Sequence, residues 1–206
     1  MLRDFFVSNG FSELEEGALF KNLNKDFYIK IAPEEGNWIE PNEIYLYLYS
    51  PPFASVMESL FADRRSWAWS YLPRKLRKDS DGCLGMILCG IETCSSQIER
   101  SRIIPSSESI MISDLMVLIN SLESDADLFE SLYRGELKMF FALIEGLWVY
   151  LYFAFKLRFP KEKILAEIRS DPEISRIAET WRLKREVDRS LIDSFGLYFS
   201  GELRTG

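Results

Sequence analysis

The sequence predicts an α+β protein: a small antiparallel sheet with flanking helices in the N-terminal half, and a helical C-terminal half around a long apolar helix. Two observations lead to this fold class. The segment 43–50, EIYLYLYS, alternates tyrosine with aliphatic residues at the period of a strand. The run 139–155, MFFALIEGLWVYLYFAF, has the composition of a buried helix. With 206 residues, of which 47% are hydrophobic and 28% charged, the chain has ample core material.

The N-terminal elements can be placed in order. Residues 2–9 predict a short helix, which Gly10 closes, because glycine is common just past a helix end. Strands are predicted near 18–22 and 26–32, joined by a tight turn, and at 43–50. The aliphatic side of the third strand should meet a core. Its tyrosine side, Tyr45, Tyr47 and Tyr49, is either a second, more polar interface or an exposed platform.

Two further elements complete the N-terminal region. A helix is predicted from Pro52 to about Ala62, since proline is well placed at the first helical position. A buried strand is predicted near 83–91, although its glycines weaken that assignment. The predicted α+β region therefore covers 1–102.

A linker at 103–109, centred on PSSES, separates that region from a helical region at 110–206, and the two regions can share one core. Ser113 or Asp114 is the predicted N-cap of the first helix of this region. Asp171, followed by proline and glutamate, predicts the start of another helix that continues to about Gly196.

The apolar run predicts a core helix from Met139 to Phe159, with Glu145 as the buried polar residue of interest. At 100° per residue, Lys138, Glu145, Tyr152 and Lys156 share one narrow stripe of such a helix. A buried helix with one edge near water explains that alignment, whereas a lipid-spanning segment does not. A glutamate at the bilayer centre would also be costly. The alternatives are a membrane span and a strand through LWVYLYFAF, and we expect no membrane association.

Composition excludes several kinds of chemistry. The chain has no histidine, which rules out Ser-His-Asp and Cys-His mechanisms and histidine-containing zinc sites. Cys83, Cys89 and Cys94 are odd in number and lack a CxxC pair, so we expect free thiols rather than disulfides or a zinc cluster. The N-terminus has no long apolar stretch of the kind that signal peptides carry, so a cytoplasmic location is expected. We expect no cofactor, because glycine-rich phosphate and dinucleotide motifs are missing from the sequence.

The segment 64–78, RRSWAWSYLPRKLRK, is the clearest functional signal. It holds six basic residues and no acid, so a chain net charge of −7 leaves −13 for the other residues. Tryptophan, tyrosine and arginine are the residues enriched in interface hot spots, and aromatic rings among cations also bind single-stranded nucleic acid. The predicted partner-binding residues are Arg64, Arg65, Trp67, Trp69, Tyr71, Arg74, Lys75, Arg77 and Lys78. The structural alternative is that the tryptophans are core residues and the cations neutralise the chain's own acidic face.

Acidic residues give weaker signals. The stretch 123–127, ESDAD, lacks the glycine and final carboxylate of an EF-hand, so it predicts a solvated loop and helix cap rather than a metal site. Glu136 and Lys138 match half of a metal-dependent nuclease signature, which is a short and common match. The leading hypothesis is a non-enzymatic cytosolic protein that binds a protein partner, as an accessory subunit or an immunity-type inhibitor. The alternatives are a single-stranded nucleic-acid-binding module that uses 64–78 and a carboxylate-based, metal-dependent enzyme.

Overall fold

A computed structural model describes most of the chain. The described residues are 2–14, 17–33, 36, 38–39, 41–61, 82–94, 97–104, 109–139, 141–143, 146–176 and 189–202. Contacts divide the chain into two compact units. The first comprises Met1–Ser50 and Gly85–Ala142, and the second comprises Pro51–Leu84 and Leu143–Gly206.

The strands form one sheet in which chain order and spatial order agree. Their bounds are β1 Ser12–Glu13, β2 Leu19–Asn22, β3 Tyr28–Pro33, β4 Glu43–Tyr49, β5 Cys83–Glu92, β6 Arg102–Ile104, β7 Ile110–Met111 and β8 Ala142–Leu143. Strands β1 to β7 are neighbours in sequence order, and β8 pairs with β5 off this path. The pairings of β1 with β2, β2 with β3, β3 with β4, β5 with β6 and β6 with β7 are antiparallel.

Along the chain, helices precede the strands, alternate with them and follow them. Their bounds are α1 Leu2–Ser8, α2 Pro51–Phe61, α3 Ile112–Asn120, α4 Asp125–Tyr133, α5 Gly146–Lys156, α6 Lys161–Ser170 and α7 Arg189–Phe199. Short 3-10 turns occupy Ile98–Arg100 and Glu136–Met139, and residues 172–176 are helical. The predicted α+β fold class is therefore confirmed.

One face of the sheet supplies the core of the first unit, and we call it the inner face. Alternate residues of β3 and β4 are buried there, and for β4 the sequence pattern predicted this aliphatic side. The core is completed by buried residues of the sheet and of α1, α3 and α4, among them Phe6, Ile29, Ile31, Leu46, Leu48, Leu115, Ile119, Phe129 and Leu132. We call the opposite side of the sheet the outer face.

Lys21 places a cation on the inner face of β2, beside the C-terminal ends of two helices. Its Nζ donates to the Asn9 carbonyl and to Asn120 Oδ1, each at 2.6 Å. Partial burial lowers the pKa of Lys21 from its ordinary value. The cation therefore satisfies a backbone carbonyl just after α1 and the side-chain oxygen of the last residue of α3.

Helix α5 forms the centre of the second unit. Every residue from Leu147 to Ala154 is buried, and the rings of Trp148 and Phe155 each lie 6.0 Å from Phe195 of α7. Phe53 of α2 contacts Tyr152 edge-on at 5.2 Å. Within the described ranges, every helix is too short or too polar to cross a membrane.

The apolar run differs from the predicted helix at its beginning. Glu136–Met139 forms a 3-10 turn, Ala142–Leu143 forms β8, and α5 begins only at Gly146. Pairing of β8 with β5 outweighs the local helical pattern because backbone groups are then satisfied by the sheet. Lys138 therefore lies outside the helix, which was wrongly predicted to carry it, and Glu145 lies outside the described residues.

The start of α3 also differs from the prediction. Its N-cap is Met111 rather than Ser113 or Asp114, because β7 runs directly into the helix. The Ile112 amide donates to the Ser101 carbonyl at 2.8 Å, so a neighbouring segment satisfies a helix-terminal donor without a side-chain cap. Of the predicted linker, positions 103 and 104 belong to β6, and 105–108 lie outside the described residues.

Candidate interaction surface

The partner-binding residues predicted from sequence fall outside the part of the chain that the structure describes. This applies to Arg64, Arg65, Trp67, Trp69, Tyr71, Arg74, Lys75, Arg77 and Lys78. The described surface that bears on binding is therefore the outer face of the sheet. Two neighbouring areas of it are distinct in composition: an aromatic row on β2, β3 and β4, and an aliphatic patch on β5, β6 and β7.

The aromatic row consists of Phe20, Tyr28, Tyr49, Tyr47 and Tyr45. Tyr28 and Tyr49 are register partners on β3 and β4, and their rings stack at 5.0 Å with an interplanar angle of 7°. The row continues along β4 through contacts of 6.0 Å and 5.9 Å, and Phe20 meets Tyr28 edge-on at 6.4 Å. Tyr49 is 2% exposed, whereas the other four rings are half-buried. The row is thus buried at its middle ring and partly solvated on both sides of it.

Lys30 lies within this row. It is the register partner of Phe20 on β2 and of Tyr47 on β4, and its Nζ is 5.9 Å from the centre of the Tyr47 ring. A cation over an aromatic face is attracted by the ring quadrupole. The arrangement therefore combines aromatic rings of β4 with a positive charge on the neighbouring strand β3.

The aliphatic patch comes from three large side chains on neighbouring strands. Leu88 and Ile104 are each 41% exposed and Met111 is 37% exposed. Antiparallel register places them on the outer face, because Gly90 pairs with Ile104 and Arg102 pairs with Met111. Their counterparts on the inner face, Cys89 and Ile103, are fully buried.

Charges of opposite sign border the patch. Glu92 on β5 and Arg102 on β6 are register partners, and both are exposed. The Arg102 guanidinium donates from Nε to Ser109 Oγ at 2.9 Å and from Nη2 to the Ser109 carbonyl at 3.2 Å. Arginine carries five N–H donors, so this anchoring leaves donors available for a carboxylate.

The thiols do not form a reactive site. Cys89 is 0% exposed, and burial raises its pKa to about 12. Cys83 is buried and Cys94 is half-buried, and none of the three cysteines forms a disulfide. A thiol that stays protonated at neutral pH is a poor nucleophile and metal ligand. Cys89 is therefore a core residue.

The acidic residues do not converge on a metal site within the described part of the chain. Asp127 belongs to a capping box with Ser124, in which each side chain bonds to the other's backbone amide. The prediction of a helix cap in this loop is confirmed. Glu136 and Asp114 are both exposed, on a 3-10 turn and in the first turn of α3.

Sequence reasoning identified the tyrosine face but missed the aliphatic patch. The strands β6 and β7 are three and two residues long, too short for a periodic pattern. One signal was present, since Gly85 and Gly90 interrupt an apolar strand, where glycine often marks a bulge, a bend or the close approach of a ligand or another backbone. No protein-family model, curated protein or solved structure matches this chain.

Proposed function

We propose that this chain is a non-enzymatic cytosolic protein that acts by binding a protein partner, either as an accessory subunit of a complex or as an immunity-type inhibitor. The observation that carries the proposal is the charge polarity of the sequence. Segment 64–78 contributes +6, whereas the other residues sum to −13. Such polarity supports an oriented contact with one partner better than indiscriminate attraction to polyanions.

The composition of the described surface supports the same proposal. Tyrosine, methionine and arginine are enriched at protein interfaces, and all three occur on the outer face of the sheet. The aromatic row offers large rings with few rotatable bonds, which lose little conformational entropy on binding. Charges on this face have both signs, which favours a protein surface over a nucleic-acid backbone.

The short edge strands argue against a partner that adds a strand to this sheet. In the described part of the sheet, the end strands β1 and β7 and the strand β8, which pairs only with β5, have two residues each, so none offers a long row of free backbone groups to an added strand. Arg3 also pairs with Glu13 on β1. A partner would therefore contact side chains on a face or on segment 64–78 rather than extend the sheet.

The test is a double substitution in segment 64–78. Affinity purification with mass spectrometry first identifies a partner, and binding is then measured with the purified pair. Trp67→Ala with Arg74→Glu should abolish binding while the thermal transition stays nearly unchanged. Loss of folding in this variant would show that these residues are structural. Salt-sensitive binding of a single-stranded oligonucleotide, without a protein partner, would instead support the nucleic-acid alternative.

A further inference from the structure

Two register pairs on β5 and β6 have an unusual relationship on the outer face. Gly90 is opposite Ile104, and Glu92 is opposite Arg102. In each pair one member is the complement of the other: a residue without a side chain faces a large apolar side chain, and an anion faces a cation. The pair Ile91–Ile103 lies between them, so the two pairs are alternate rungs of the same ladder and share the outer face.

Gly90 leaves an open position on this face. Its φ lies outside the left-handed region, so the backbone does not require glycine. Among the residues that the structure describes, a Cβ built on it would meet only the Ile104 carbonyl oxygen, at 3.8 Å, which is an ordinary contact. The strand could therefore carry a side chain here without strain. An open glycine in a strand is typical of a place where another molecule approaches closely.

Consider a two-fold axis that lies above the outer face, runs parallel to the strands and passes midway between β5 and β6. Rotation about this axis places each member of a pair opposite the other member in the second copy. When a second copy is stacked face to face about this axis, its Ile104 lies over Gly90 of the first copy. Its Arg102 lies opposite Glu92 of the first copy. Each contact occurs twice, as in any isologous interface. Strands related by this axis run in nearly the same direction, which is the aligned arrangement of packed sheets.

We propose that the aliphatic patch of β5, β6 and β7 binds a second copy of this chain through this two-fold arrangement. Charge complementarity favours a copy over another partner, because the patch carries one anion and one cation at fixed positions. A partner surface of single sign would leave one of them facing a like charge. The exposed apolar area is small, so the dimer is weak and concentration-dependent.

Charge reversal tests the arrangement. Sedimentation of the full-length chain across a wide range of concentration should show a monomer–dimer equilibrium. Arg102→Glu and Glu92→Arg should each weaken self-association by about tenfold or more, because like charges then face each other twice. An equimolar mixture of the two variants should associate again, and native mass spectrometry should show the mixed dimer, since each contact is then between opposite charges.

Two more variants separate this contact from effects on folding. Gly90→Thr should fold with an undiminished melting temperature, because its Cβ has room, yet should lose dimerisation because the position over which Ile104 packs is filled. Arg134→Glu, the same charge change at the exposed end of α4, should leave dimerisation intact. The proposal is overturned if the wild-type chain stays monomeric throughout, or if mixing the two charge variants fails to restore association. Neither result would bear on binding through segment 64–78.

Discussion

Replacing Cys89 by alanine should remove a specific loss of stability at alkaline pH. This thiol is fully buried on the inner face of β5, and burial raises its pKa from 9.0 to about 12. In the unfolded chain the thiol regains its ordinary pKa. Between these two values the unfolded state releases a proton that the folded state keeps. Stability therefore falls as pH rises, because the unfolded state binds fewer protons there.

The size of the loss follows from the two pKa values. One pKa unit corresponds to about 1.4 kcal/mol. Raising the pH from about 8 to about 10 takes the unfolded thiol from mostly protonated to mostly ionised, while Cys89 stays protonated. Over this interval the thiol should account for a loss of about 1.4 kcal/mol in the free energy of unfolding, and the loss should grow at higher pH.

Urea unfolding at the two pH values, under reducing conditions, measures this directly. Lysines and tyrosines also titrate near pH 10, so the informative quantity is the difference between wild type and Cys89→Ala. The variant should be less stable at every pH, because it loses packing, but its decline with pH should be shallower by the stated amount. Cys94→Ala, at a half-buried position, is the matched control for removing a thiol. Equal declines in wild type and Cys89→Ala would refute the reasoning.

Three further variants, in or beside helices, are measured by urea unfolding. Gly196→Ala in α7 should raise the free energy of unfolding by about 0.5–1 kcal/mol, because alanine favours helix and its Cβ would lie at an ordinary contact distance, 3.6 Å, from the Phe155 ring. Gly135→Ala should lower the free energy of unfolding, because its Cβ would lie only 2.9 Å from Ser131 Cα. Ser124→Ala should lower the free energy of unfolding by about 1 kcal/mol, because the capping box of α4 is lost. An unchanged urea midpoint would show that water replaces the cap.

The strands that sequence predicted well are those with a local signal. Strand β4 alternates over seven residues, and its buried and half-buried positions follow that alternation as far as Leu48. Strands β2, β3 and β5 were also predicted, within two residues at each end. Strands β6 and β7 were missed because their five residues gain regular structure only by pairing with each other and with β5, a non-local event.

The apolar run shows how tertiary pairing can override a correct local pattern. Its second part, Gly146–Lys156, is the predicted buried helix. Its first part contributes β8 instead, although the same residues continue the helical period backwards. The stripe that included Lys138 and Glu145 depended on one continuous helix, so it does not describe this segment. Lys156 still lies at the helix edge, with its Nζ 5.8 Å from the Tyr152 ring.

The sequence alone does not say why Gly10 and Gly90 are glycines, but their backbone angles distinguish them. Gly10 has φ +87°, a conformation that other residues rarely adopt, so its position after α1 explains it. Gly90 has ordinary backbone angles and room for a Cβ, and glycine in a strand interior costs about 0.5–1 kcal/mol relative to alanine. The described part of this chain offers no compensation for that cost. The packing of Ile104 from a second copy on Gly90 would compensate for this cost. Gly90→Thr separates the stability of the monomer from dimerisation, because it should raise the first and abolish the second.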